Sequence, residues 1–96
     1  MAKPELESRL EDRCVARIEA LGGLAIKLRP PVGRGFPDRT VCLHGRVFWL
    51  EFKRQKTGVE AVQQATWRRL LTLAGFGVYV VDTDAQFSAA LEREMG

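Results

Sequence analysis

Phe36-Pro37-Asp38-Arg39-Thr40-Val41-Cys42-Leu43-His44-Gly45-Arg46-Val47-Phe48-Trp49-Leu50-Glu51-Phe52-Lys53 decides how this chain reads. Thr40 to Leu43 and Val47 to Lys53 are rich in β-branched, aromatic and aliphatic residues, and His44-Gly45-Arg46 between them has turn character. The pattern predicts a β-hairpin. Its strands run in opposite directions, so Asp38 at the start of the first comes beside Glu51 and Lys53 at the end of the second. Side chains alternate along a strand, which puts Phe48, Leu50 and Phe52 on one face and Trp49, Glu51 and Lys53 on the other. Two carboxylates converging beside a lysine suit a hard divalent cation and a phosphodiester. The acids supply oxygen ligands for Mg²⁺, the ion polarises the phosphate, and the lysine orients water or neutralises developing charge. A solvated strand edge is the plainer reading of Glu51-x-Lys53 alone, and a turn start is the plainer reading of Pro37-Asp38 alone.

Working outward, the N-terminal side begins with a helix expected over about Pro4 to Leu21. Pro4 and the early acids Glu5 and Glu7 suit its first turn. Leu6, Leu10, Cys14, Ile18 and Leu21 form its apolar stripe, and Gly22-Gly23 ends it. Glu7 projects inside that stripe and Glu11 lies at its rim. Leu24 to Arg29 reads as a short strand with Ala25, Lys27 and Arg29 on one side. Lys27 reaches the Glu51 face if the two strands are neighbours. Pro30 to Pro37 is a loop stiffened by prolines and carrying Arg34 between glycines that permit close backbone approach. It reads as a DNA-contacting loop or as a plain connection.

Beyond the hairpin, Arg54-Gln55-Lys56-Thr57-Gly58 forms a basic turn. A helix over about Val59 to Ala74 follows, with Val59, Thr66, Trp67, Leu70, Leu73 and Ala74 as its expected core face. Arg68 and Arg69 then point away, towards phosphates. Gln63 falls within that apolar face and Gln64 at its edge. Val78 to Val81 is a continuous apolar run, expected as a strand buried on both faces and parallel to a neighbour. Asp82-Thr83-Asp84 offers caps for a last helix to about Met95.

Ninety-six residues make a single domain, 1–96, whose modest core favours dimerisation. No apolar run approaches a transmembrane length and the first residues lack a signal-peptide stretch, so no membrane is expected and the cytoplasm is the default. Cys14 and Cys42 fit neither a zinc spacing nor a redox pair and read as small core residues. The single histidine excludes a His-rich metal centre. Net charge is only +3, yet Lys27 to Arg69 holds ten basic residues against three acids. A basic field around an acidic pair suits a polyanion. The order helix, three strands, helix, strand, helix predicts an α/β protein with a mixed central sheet, helices on both sides and the acids at one sheet edge.

Pro37-Asp38 followed by Glu51-x-Lys53 resembles the signature of the PD-(D/E)xK nuclease superfamily. The wider frame, from Gly22-Gly23 through Lys27, Gly33-Arg34-Gly35-Phe36-Pro37-Asp38 and Gln63-Gln64 to Gly75 and Val78-Tyr79-Val80-Val81-Asp82, is similar to the VRR-NUC family, over roughly residues 5 to 85. The resemblance implies a restriction-endonuclease-like αβββαβ core with a C-terminal helix. It implies a Mg²⁺- or Mn²⁺-dependent DNA endonuclease with no small organic cofactor. Asp38, Glu51 and the Phe52 carbonyl would bind metal, Lys53 would act on the attacking water, and Gln64 would assist, with Gln63 its alternative. The family-like register favours Glu11 as the acid on the first helix, whereas the stripe favours Glu7. Lys27, Arg29, Arg34, Arg39, Arg54, Lys56 and Arg68 would meet DNA. Branched or Holliday-type junctions are the implied substrates, cut by a homodimer in a bacterial or phage-infected cell, with the protein associated with the nucleoid through DNA. The competing readings are a non-catalytic nucleic-acid-binding module, a partner-dependent nuclease subunit, and a scaffold for another protein.

Overall fold

The computed structural model describes residues 3–31, 33–54 and 57–96, with the side chains of 3–8 outside the description. The elements are α1 (Lys3–Ala20), β1 (Leu24–Ile26), β2 (Arg39–Leu43), β3 (Arg46–Phe52), α2 (Gly58–Leu73), β4 (Gly77–Val81) and α3 (Asp84–Met95). One sheet holds the strands in the order β1-β2-β3-β4; β1–β2 and β2–β3 are antiparallel and β3–β4 is parallel. The expected α/β architecture with a mixed sheet is therefore present. Among the described residues, no helix is long and apolar enough to cross a membrane.

Local chemistry sets the boundaries. The hairpin turns on His44 and Gly45, at φ 50° and 81°, so Leu43 faces Arg46 across a two-residue loop. Arg46 thus opens β3 instead of completing the turn. Gly22 (φ 91°) and Gly75 (φ 100°) end α1 and α2 in the same manner. The N–H of Gly23 donates to the Ile18 carbonyl and that of Gly22 to Glu19; the N–H of Phe76 donates to Leu71 and that of Gly75 to Thr72. These paired bonds satisfy carbonyls that a helix end otherwise leaves open. Thr57 and Thr83 cap α2 and α3, each in a reciprocal box with Glu60 or Gln86.

The main core lies on one face of the sheet. Leu10, Cys14 and Ile18 from α1 meet Phe87, Ala90 and Leu91 from α3 over Val41, Leu43, Phe48, Leu50, Phe52 and Val81. Burial raises the Cys14 thiol pKa to about 11. Leu21 follows the last turn of α1 and is exposed instead of continuing its stripe. Arg13 donates to Asp84 at 2.8 Å and ties α1 to α3 at the surface.

The other face, under α2, differs from the sequence reading. Val59, Leu70 and Leu73 are 68%, 52% and 72% exposed, and no residue of α2 is buried. Trp67 and Gln63 face the sheet as expected, but Gln64, Arg68 and Leu71 join them in place of the aliphatic residues. Aromatic packing explains the rotation: Phe36 stands edge-on between Trp67 (5.0 Å) and Trp49 (6.2 Å), which also meets Phe76. β4 is an edge strand, so Val80 is 42% exposed and only Val81 is fully buried. Burial of that strand on both faces is not found. Cys42, read as core, is half-buried on this thinner side.

Candidate active site

The strand register brings the site together. Arg39 pairs with Leu50, and the same register continued by one residue sets Asp38 opposite Glu51. Asp38 Oδ2 accepts a 2.6 Å bond from the Phe52 N–H, which fixes the carboxylate across the end of the hairpin. Behind it, Pro37 is buried and Phe36 is held in the aromatic stack. Gly33 and Gly35 let the loop approach α2: a Cβ at Gly33 would lie 2.5 Å from the Trp67 ring, and one at Gly35 would lie 2.6 Å from the Gln63 backbone. Close approach by these glycines serves the helix contact. Arg29 and Arg34 remain exposed beside it, lining a cavity with Pro30 and Phe36.

The acids occupy the ends of the two central strands, not the sheet edge. Glu51 is 3% exposed on the α2 face, and its Oε2 accepts from Arg68 Nη1 at 2.9 Å. Glu11 comes from α1, beneath the opposite face. Its Oε2 accepts from Arg39 Nε at 2.8 Å and its Oε1 from Arg54 Nη2 at 2.9 Å. Arg39 also donates to the Ala25 carbonyl at 2.9 Å, so its guanidinium is tethered twice. The Arg54 nitrogen that meets Glu11 lies 3.7 Å from Asp38 Oδ2 and spans the two acids. Glu11, Lys27, Asp38 and Arg54 line one cavity of about 140 Å³ together with Arg29 and Phe36.

Lys27, just beyond β1, shares that cavity with Glu11 and Asp38 but not with Glu51, because β2 separates β1 from β3. Lys53 follows β3 directly; its N–H donates to the Val81 carbonyl and its side chain is exposed. Gln63 and Gln64 are both half-buried on the sheet-facing side of α2. The side chain of Glu7 and all of Lys56 lie outside the described residues.

Arg39, Arg54 and Arg68, expected to face DNA, are each paired with one of the acids in this DNA-free structure. Arg68 was misplaced because the aliphatic side chains of α2 suggested the wrong inner face.

Among the described residues, no three His, Cys, Asp or Glu side chains gather closely enough to hold a metal ion. Carboxylate oxygens still match a hard cation, and a guanidinium nitrogen already stands between Glu11 and Asp38. The donor chemistry fits a divalent ion once that nitrogen moves.

A mixed sheet with paired acids at the ends of its central strands and an acid from the first helix is the frame of a restriction-endonuclease-like nuclease. Known proteins agree. A solved structure described as a "VRR_NUC domain" superposes with a TM-score of 0.72 over 90% of this chain and 94% of its own, at 29% identity. The curated protein "Putative nuclease p44" of Acyrthosiphon pisum secondary endosymbiont phage 1 is 33% identical over 78 residues, 80% of this chain and 83% of that protein. No family model matches the sequence. The chain belongs to the VRR-NUC family of nucleases.

Proposed function

We propose that the protein is a Mg²⁺- or Mn²⁺-dependent DNA endonuclease. The observation that carries this reading is Asp38 pinned to the Phe52 N–H opposite Glu51, with Lys53 next along the chain. When bound by Asp38, Glu51, Glu11 and the Phe52 carbonyl, the ion would supply Lewis acidity at the scissile phosphate. Lys53 Nζ orients the attacking water and stabilises negative charge on the phosphoryl oxygens. Gln64 supports that water from α2, and Arg68 holds the Glu51 carboxylate in place. Lys27, Arg29 and Arg34 receive the flanking phosphates from the cavity wall and the proline-rich loop, so binding weakens steeply with salt.

We further propose that the protein cuts branched DNA as a homodimer. The support is the outer stripe of α2. Val59, Val62, Leu70 and Leu73 are each more than half exposed, and with Thr66 between them their spacing is the same in both directions along the helix. Two copies of such a stripe pair antiparallel about a two-fold axis at Thr66, each valine against a leucine. The eight side chains offer roughly 500 Å² of apolar surface. That suits the low end of stable interfaces, about 1,200 Å² in total with a polar rim. A two-fold pair carries two sites, one for each of two strands. Cleavage of labelled four-way junction, flap and linear duplex tests the substrate: preference for the junction supports this reading, and equal rates on all three contradict it.

A further inference from the structure

Two arginines share one carboxylate in this site, and they are not equivalent. Arg39 is 17% exposed in its side chain, starts β2 and bonds the Ala25 carbonyl as well as Glu11. It is built into the sheet. Arg54 follows the end of β3, has a side chain 37% exposed, and reaches back over the cavity. One of its nitrogens lies 2.9 Å from Glu11 Oε1 and 3.7 Å from Asp38 Oδ2. A cation bound by those two acids would need that same space. A guanidinium is permanently charged, so protonation cannot remove it and only movement can.

We propose that Arg54 is a latch on the metal seat. In the DNA-free protein its guanidinium holds the place between Glu11 and Asp38. A DNA phosphate on the basic wall draws it outward, and both carboxylates become open to the ion. Arg54 thereby exchanges one anionic partner for another. DNA and metal binding favour each other through this side chain, and the linkage is reciprocal. This proposal rests on the metal-dependent nuclease reading and adds that the seat is closed until DNA arrives.

The test reads metal binding without turnover. Mn²⁺ is titrated against DNA-free wild type, Arg54→Gln, Arg54→Lys and Lys27→Gln, with free ion followed by electron paramagnetic resonance. Lys27 lines the same cavity and makes no ion pair with the described acids, so it controls for loss of a nearby charge alone. The expected result is affinity raised roughly 5- to 30-fold in Arg54→Gln, a range typical of coupled sites. Lys27→Gln should gain less, and Arg54→Lys should fall between wild type and Arg54→Gln. Anisotropy of a labelled duplex in EDTA should show Arg54→Gln binding more weakly, with a salt slope smaller by about one phosphate contact. Mn²⁺ affinity in Arg54→Gln no higher than in Lys27→Gln would overturn the latch, as would an unchanged salt slope. Absence of Mn²⁺ binding in wild type, with or without DNA, would defeat the metal-dependent reading itself and the latch with it. Circular dichroism of each variant confirms that the fold is intact.

Discussion

The two faces of the sheet are built on different principles. Beneath α1 and α3 the face is a closed apolar core in which Ile18, Val41, Phe48, Leu50 and Val81 have no accessible surface. Beneath α2 the contact rests on an aromatic stack and the Arg68–Glu51 pair, a Trp49–Thr40 hydrogen bond ties β3 to β2 below it, and the helix leaves its aliphatic side exposed. The first face supplies stability. The second positions Glu51, and Asp38 reaches it from a loop that glycine allows close to α2. Division of labour follows: one face folds the chain and the other orients polar groups and remains open to partners.

The largest effect should come from the working face. Lys53→Ala is expected to slow DNA cleavage by about 10²- to 10⁴-fold with the melting temperature unchanged, because the side chain is exposed. Single-turnover assays and a thermal melt check this; cleavage at the parent rate removes Lys53 from the mechanism. On the folding face, Phe48→Ala should cost about 3–5 kcal/mol, measured by urea denaturation. For a chain this small such a loss is a large part of the total stability.

Leu70→Glu with Leu73→Glu should act on assembly and leave folding alone. These side chains are 52% and 72% exposed, so stability of the monomer should change by no more than about 0.5 kcal/mol. Sedimentation should show the pair dissociating. A monomeric parent contradicts the two-fold stripe.

The smallest effect lies at the far end of the sheet. There Glu94, 9% exposed, accepts from the Tyr79 hydroxyl at 2.5 Å and from Arg46 Nε at 3.2 Å. Burial, reinforced by the hydrogen bond to Glu94, pushes the Tyr79 pKa to about 12. The raised value favours the neutral phenol in the folded protein. Its contribution is complete below pH 10 and disappears as pH rises from about 10 through about 12. Tyr79 is the single tyrosine, so ultraviolet absorbance reads it alone. Glu94→Met, which removes the acceptor, should lower the midpoint, and an unchanged midpoint would deny the hydrogen bond.

Much of the fold was legible because its determinants are local. The turn around His44-Gly45, the Gly22-Gly23 end of α1 and the Thr83 cap of α3 each act within a few residues, and the hairpin register follows from the turn. The pairing of Asp38 with Glu51 was legible for the same reason. The orientation of α2 was not. An aliphatic stripe normally marks the buried side, but here Trp67 and the glycines of the distant Gly33–Phe36 loop decide the rotation. The arginine partners of Glu11 and Glu51 were equally hidden, because a basic side chain near an acidic site reads as a phosphate contact until tertiary structure brings the ions together.

If Asp38 and Glu51 form a metal-dependent phosphodiesterase site, cleavage of labelled DNA by wild type and Asp38→Asn in Mg²⁺, Mn²⁺ and EDTA will reveal it. Asp38→Asn keeps an oxygen able to accept from the Phe52 N–H while removing the charge. Wild type should cut with either ion and not in EDTA, and the variant should lose at least about 10²-fold, within the range of single catalytic-group removals. Cutting in EDTA, or an Asp38→Asn protein as fast as its parent, would contradict it.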